Sequence, residues 1–164
     1  MSRMKLKSRA ATVLLAAASA LACGGALAAG SHAGGHAGDA ADAIGQAGDA
    51  SRVSRTIRID MGDDMRFSPP DLTVRAGETI RFVVRNAGRL RHEMVLGSDA
   101  DLKAHYAEML KMPEMEHADP NAVTLDAGQS GELVWRFTRS GRVAFACLQP
   151  GHYDAGMRGQ VRVR

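Results

Sequence analysis

The chain has 164 residues, with 21 Lys and Arg against 18 Asp and Glu, a formal net charge of +3 and a sequence pI near 9.2. That basic balance belongs to one end: Arg3, Lys5, Lys7 and Arg9 precede an apolar run from Thr12 to Ala22, and Ala26-Leu27-Ala28 has the small-x-small form of a secretory cleavage site. Without residues 1–28, which carry those four basic residues and no acid, 17 Lys and Arg face 18 Asp and Glu, so charge argues for neither nucleic acid nor a membrane surface as a partner.

The apolar run is too short to span a membrane, and a signal peptide over 1–28 predicts export to the periplasm. A lipoprotein beginning at Cys23 is the alternative, but Ala20-Leu21-Ala22 matches the usual Leu-led lipobox poorly. With Cys23 inside the signal, Cys147 is the single thiol of an exported protein, which calls for a reason other than a disulfide.

Residues 29–53 are Ala, Gly, Asp and Ser with few bulky apolar side chains, and are expected to form a flexible leader. Its His32 and His36 are either solvated linker residues or a weak metal-capturing pair. The remaining residues, 54–164, are enough for one domain. From Val53 the pattern turns to a period of two. Ile57 and Ile59 alternate with Thr56 and Arg58, and Phe67 follows a turn at Gly62-Asp63-Asp64. Leu72 and Val74 follow Pro69-Pro70; Ile80, Phe82 and Val84 share one face of the next strand. A strand from Arg91 to Leu96 puts His92, Met94 and Leu96 on one side.

Over 98–112 the period predicts a helix, capped by Ser98 or Asp99, carrying Leu102, Tyr106, Met109 and Leu110 at helical spacing and ended by Pro113. Strands resume with Val123 and Leu125, then Leu133, Trp135 and Phe137, then Val143, Phe145 and Cys147 on one face, and finally 160–164. Seven or eight short strands with one inserted helix make an all-β sandwich.

The chemistry concentrates in the stretch from Cys147 to Met157. Cys147, His152 and Met157 are evenly spaced on a loop punctuated by Pro150-Gly151 and Gly156. A thiolate, two imidazoles and a weak axial thioether are the ligands of a type 1 copper centre, and His92 is the available second imidazole. Each residue alone has a blander reading: a small buried hydrophobe, a surface imidazole, a core filler. Together on one loop they do not. A second soft-donor group, Met109, Met112, Met115 and His117 with Met94 nearby, is suited to Cu(I), against the alternative that these side chains pack or cover.

Arg91-His92-Glu93-Met94, the segment 109–117 and Phe145 to Met157 resemble the cupredoxins, and more narrowly the periplasmic copper-tolerance group among them; the resemblance covers about residues 54–164. It implies a Greek-key β-sandwich holding one type 1 copper on His92, Cys147, His152 and Met157. Residue 93 is Glu where smaller cupredoxins often carry Asn.

Several copper enzymes do not fit. The neighbours of Cys147 are Ala146 and Leu148, not the His pair that wires a multicopper oxidase. One thiol cannot make a binuclear thiolate site, and the chain is too short for a two-domain nitrite reductase. Zinc accepts Cys and His, but not readily the Met. The expectation is a non-enzymatic protein of copper tolerance that exchanges one electron, with Cu(I) oxidation as an added role. The alternative is a soluble carrier between periplasmic redox partners. Copper ions and a redox or copper-handling protein are the expected partners.

Overall fold

The computed structural model describes residues 45–113 and 118–164. The expected signal peptide over 1–28, His32, His36, Met115 and His117 therefore lie outside the described residues.

Alternating apolar side chains drive two five-stranded sheets together. In chain order the strands are β1 (Gln46–Ala47), β2 (Arg55–Gly62), β3 (Arg66–Ser68), β4 (Asp71–Val74), β5 (Thr79–Asn86), β6 (His92–Gly97), β7 (Ala122–Leu125), β8 (Ser130–Arg136), β9 (Gly141–Ala146) and β10 (Arg158–Val163). One sheet runs β1-β8-β5-β2-β3 and the other β4-β10-β9-β6-β7. The pairs β2–β5 and β4–β10 are parallel and the rest antiparallel. The alternating rows meet between the sheets: Ile59, Phe82, Leu133, Trp135, Phe145 and Val161 share one core. Phe67 meets Phe145 edge-on, their centroids 5.0 Å apart.

Ten strands stand where seven or eight are expected. The surplus is β1 and β3, two and three residues long, which are the two edges of the first sheet. Pieces this short carry no periodicity of their own.

The leader boundary is corrected as well. Gln46 and Ala47 pair with Arg136 and Trp135, the Gly48 N–H donates to the Val134 carbonyl at 2.9 Å, and Asp49 caps a 3₁₀ turn over Ala50–Arg52. Low bulk is what permits this: a Cβ on Gly45 would stand 2.2 Å from the Arg136 carbonyl oxygen, and one on Gly48 2.7 Å from Thr79 Cγ2. The same composition that argues against a core lets this segment lie flat on a sheet edge.

Helix α1 (Asp99–Met109) is capped by Ser98, whose side chain accepts from the Asp101 N–H, and Asp99 and Asp101 complement its N-terminus. It ends earlier than expected, with Leu110 as an exposed C-cap residue, not a member of the buried stripe. Leu102, Tyr106 and Met109 pack on Val95, Ala144, Ala146 and Leu148, a second cluster outside the second sheet. The small Ala144 and Ala146 leave room for a helix there. Every residue of β6 is consequently buried, its inner row by the sandwich and its outer row by α1.

Candidate metal centre

His92 opens β6, immediately after a turn held from within by Asn86. This fully buried amide donates to the Leu90 and Leu125 carbonyls at 2.7 and 3.0 Å and accepts from the Gly88 N–H at 2.9 Å. From outside, Asp63 of the β2–β3 turn accepts from the backbone N–H groups of Arg89 and Leu90. It also faces His92 Nε2 at 3.1 Å. These N–H groups first, and His92 after them, hold the Asp63 carboxyl below the ordinary range.

Cys147 continues the inward row of β9, as its parity with Val143 and Phe145 predicts. The loop then doubles back. Gln149 and His152 close one turn, Gly151 and Gly156 adopt positive φ of 85° and 96°, and the Met157 N–H donates to the His152 carbonyl at 3.0 Å. The Cys147 N–H donates to the Met157 carbonyl at 3.1 Å, which ties the two ends of the loop. Cys147 and Met157 are both fully buried in the main core cluster.

One donor atom each from His92, Cys147 and His152 lie within 4.8 Å of one another. Cys147 Sγ is 3.3 Å from His152 Nδ1, and the two imidazole centroids are 4.8 Å apart. His92 Nδ1 is buried and has no hydrogen-bond partner. A buried nitrogen left unpaired beside a thiol and a second imidazole is the donor set of a borderline-soft cation, so these residues fit copper. Burial pushes the Cys147 thiol up to about 12. Burial, and then the neighbouring His92, pushes His152 down, toward the neutral form that can ligate.

Three residues brace this group that the sequence does not point out. Glu93 is buried and faces outward from β6. Its Oε1 accepts from the Leu148 N–H at 2.9 Å, its Oε2 from the Thr124 hydroxyl at 3.3 Å, and its own N–H approaches Cys147 Sγ at 3.5 Å. Tyr106 of α1 accepts from the Gly151 N–H at 3.0 Å and donates to Asp154 at 2.9 Å, while its ring stacks on Tyr153. Arg66 donates to the Ala155 carbonyl at 2.9 Å. The ligand loop is thus held from three sides. A fourth residue, Asp63, read in the sequence only as part of a turn, braces His92.

Leu148, Pro150 and Met94, apolar residues beside the ligands in sequence, do not form an exposed rim around the site. Leu148 and Met94 are fully buried in different clusters, and only Pro150 is exposed. The inward parity of β6 and the cover of α1 account for both. The proposed second group is dispersed among the described residues. Met94 packs in the sandwich core, Met109 under α1, and Met112 is 46% exposed.

Residues 53–164 match the family model described as copper binding proteins, plastocyanin/azurin family. A copper-resistant cuproprotein CopI of Rubrivivax gelatinosus is 58% identical over 133 residues, covering 81% of each chain. The protein of the same name from Pseudomonas aeruginosa is 39% identical, over 74% of this chain and 83% of that one. Among solved structures, an auracyanin from Roseiflexus castenholzii superimposes with a TM-score of 0.58 at 27% identity, covering 68% of this chain and 98% of that one. Fold, donor set and sequence agree: the chain belongs to the plastocyanin/azurin family of copper-binding proteins, the cupredoxins.

Proposed function

We propose that the protein is a periplasmic type 1 copper protein of copper tolerance, in which His92, Cys147, His152 and Met157 would hold a copper that supplies one-electron exchange. The observation that carries this reading is the triad of buried His92, buried Cys147 and partly exposed His152, with an unpartnered His92 Nδ1. Copper, when bound there, supplies a one-electron couple between Cu(I) and Cu(II). The chain's own part is to keep the donors fixed. Glu93 pins Leu148, Tyr106 pins Gly151, and the Cys147–Met157 backbone bond closes the loop, so little has to move between the two oxidation states. Burial excludes water from Cys147, and a soft cation takes the place of its proton.

The tolerance role is supported by the likeness to proteins named copper-resistant, and the periplasmic address by the form of residues 1–28. No turnover of a substrate is part of the proposal. The alternative of a carrier between redox partners is supported by the partly exposed His152, an edge through which an electron could pass.

The test pairs spectroscopy with growth. Copper-loaded protein should show an intense visible thiolate-to-copper band that Cys147→Ser abolishes. A strain lacking the gene should grow poorly on copper and recover with the wild-type gene but not with Cys147→Ser. A band that survives in the variant refutes the ligand assignment; unimpaired growth refutes the tolerance role in favour of the carrier.

A further inference from the structure

We propose that Asp63 is a positioning residue for the metal centre: its carboxylate fixes the tautomer and orientation of the His92 imidazole and places a negative charge behind it. This deepens the copper reading above and rests on His92 being a ligand.

The geometry starts from hydrogen-bond inventory. His92 Nε2 lies 3.1 Å from Asp63 Oδ1. An ionised carboxylate only accepts, so Nε2 carries the hydrogen and the lone pair is left on Nδ1. That is the buried nitrogen with no other partner. A His ring held this way has its free lone pair chosen by its neighbour, as in carboxylate–histidine–metal arrangements generally.

Asp63 is itself fixed. The Arg89 N–H donates to Oδ1 and Oδ2 at 3.0 and 2.8 Å, and the Leu90 N–H reaches Oδ1 at 3.2 Å. Residue 88 must be Gly for this approach, because a Cβ there would fall 2.0 Å from Asp63 Oδ1. The β2–β3 turn is thereby latched to the turn that delivers His92. A neutral backbone carbonyl in the same place would orient the ring equally well; a carboxylate adds charge. That charge stabilises the more positive oxidation state of whatever metal His92 binds.

The experiment uses the full chain with Asp63→Asn, Asp63→Ala and Asp63→Glu. In metal-free protein, ¹⁵N shifts of the His92 ring should report one tautomer with its hydrogen on Nε2, and Asp63→Ala should turn this into a mixture. Copper-loaded Asp63→Asn should keep the visible band. At a fixed solution potential its ratio of Cu(II) to Cu(I) should fall roughly three- to tenfold, the range for one charge partly screened by water. Asp63→Glu should move the ratio back toward wild type, which a purely structural role would not produce. A wild-type His92 protonated at Nδ1, or an unchanged ratio in Asp63→Asn, overturns the proposal. Absence of the band in wild type instead refutes the copper reading, and the ring-nitrogen shifts then decide on Asp63 alone.

Discussion

A thiol without water around it is a weak acid, and Cys147 shows how much of the site's behaviour one buried residue carries. Its folded value of about 12 exceeds the ordinary 9.0, so between those limits the folded state keeps a proton that the unfolded chain releases. The metal-free protein therefore has its full Cys147 contribution below pH 9 and loses it as pH rises toward 12, by roughly 1.4 kcal/mol per unit. Denaturant midpoints at pH 8 and 10.5 should diverge more for wild type than for Cys147→Ala; equal slopes would mean the thiol is better solvated than its position implies. The inward position of Cys147 was legible, because Val143, Phe145 and Cys147 fall on one parity. Glu93 was not. Its partners Leu148 and Thr124 are 55 and 31 residues away, and a charged residue on a strand reads as solvated until a helix is known to cover it.

Among the elements, α1 does more than cover the second sheet. Its Tyr106 hydroxyl takes the Gly151 N–H, next to His152, and so couples the helix to the ligand loop. Tyr106→Phe keeps the ring on Tyr153 and deletes only the hydroxyl. Its two hydrogen bonds to the loop, from the Gly151 N–H and to Asp154, are both lost; the Gly151 bond alone contributes about 0.5–1.5 kcal/mol, so copper release to a chelator should accelerate by at least about two- to tenfold. Gly151 should lose amide-exchange protection in the same variant. Unaltered exchange at Gly151 would show that the loop holds itself. The existence of α1 followed from Ser98 and the spacing of Leu102, Tyr106 and Met109, but its docking face depends on Ala144 and Ala146, which carry no outward signal of a partner. The leader was misread for a related reason: glycines that allow backbone to lie on an edge look the same in sequence as glycines in a linker.

At the scale of the whole molecule, the sandwich separates its edge from its metal end. β1 lies at one margin of the first sheet, and the β2–β3 turn bearing Asp63 at the other. A chain starting at Val53 loses the β1 pairing, the Gly48–Val134 bond and the Asp49 cap. It should unfold at lower denaturant, by about 1–3 kcal/mol, with its copper band unshifted. A shifted band would mean that strain passes across the sheet. The β-sandwich itself was readable throughout because one face of every long strand is apolar. Pairing order was not, since β2 joins β5 and β4 joins β10 in parallel across long stretches of chain.

The donors come from two distant places in the chain, His92 with its Asp63 latch, and the loop 147–157. A polypeptide synthesised from its N-terminus makes His92 long before it has Cys147 to set beside it. Half-made chains thus offer copper histidines without the thiolate, and the full donor set waits until β9 and β10 have both emerged and closed on β6.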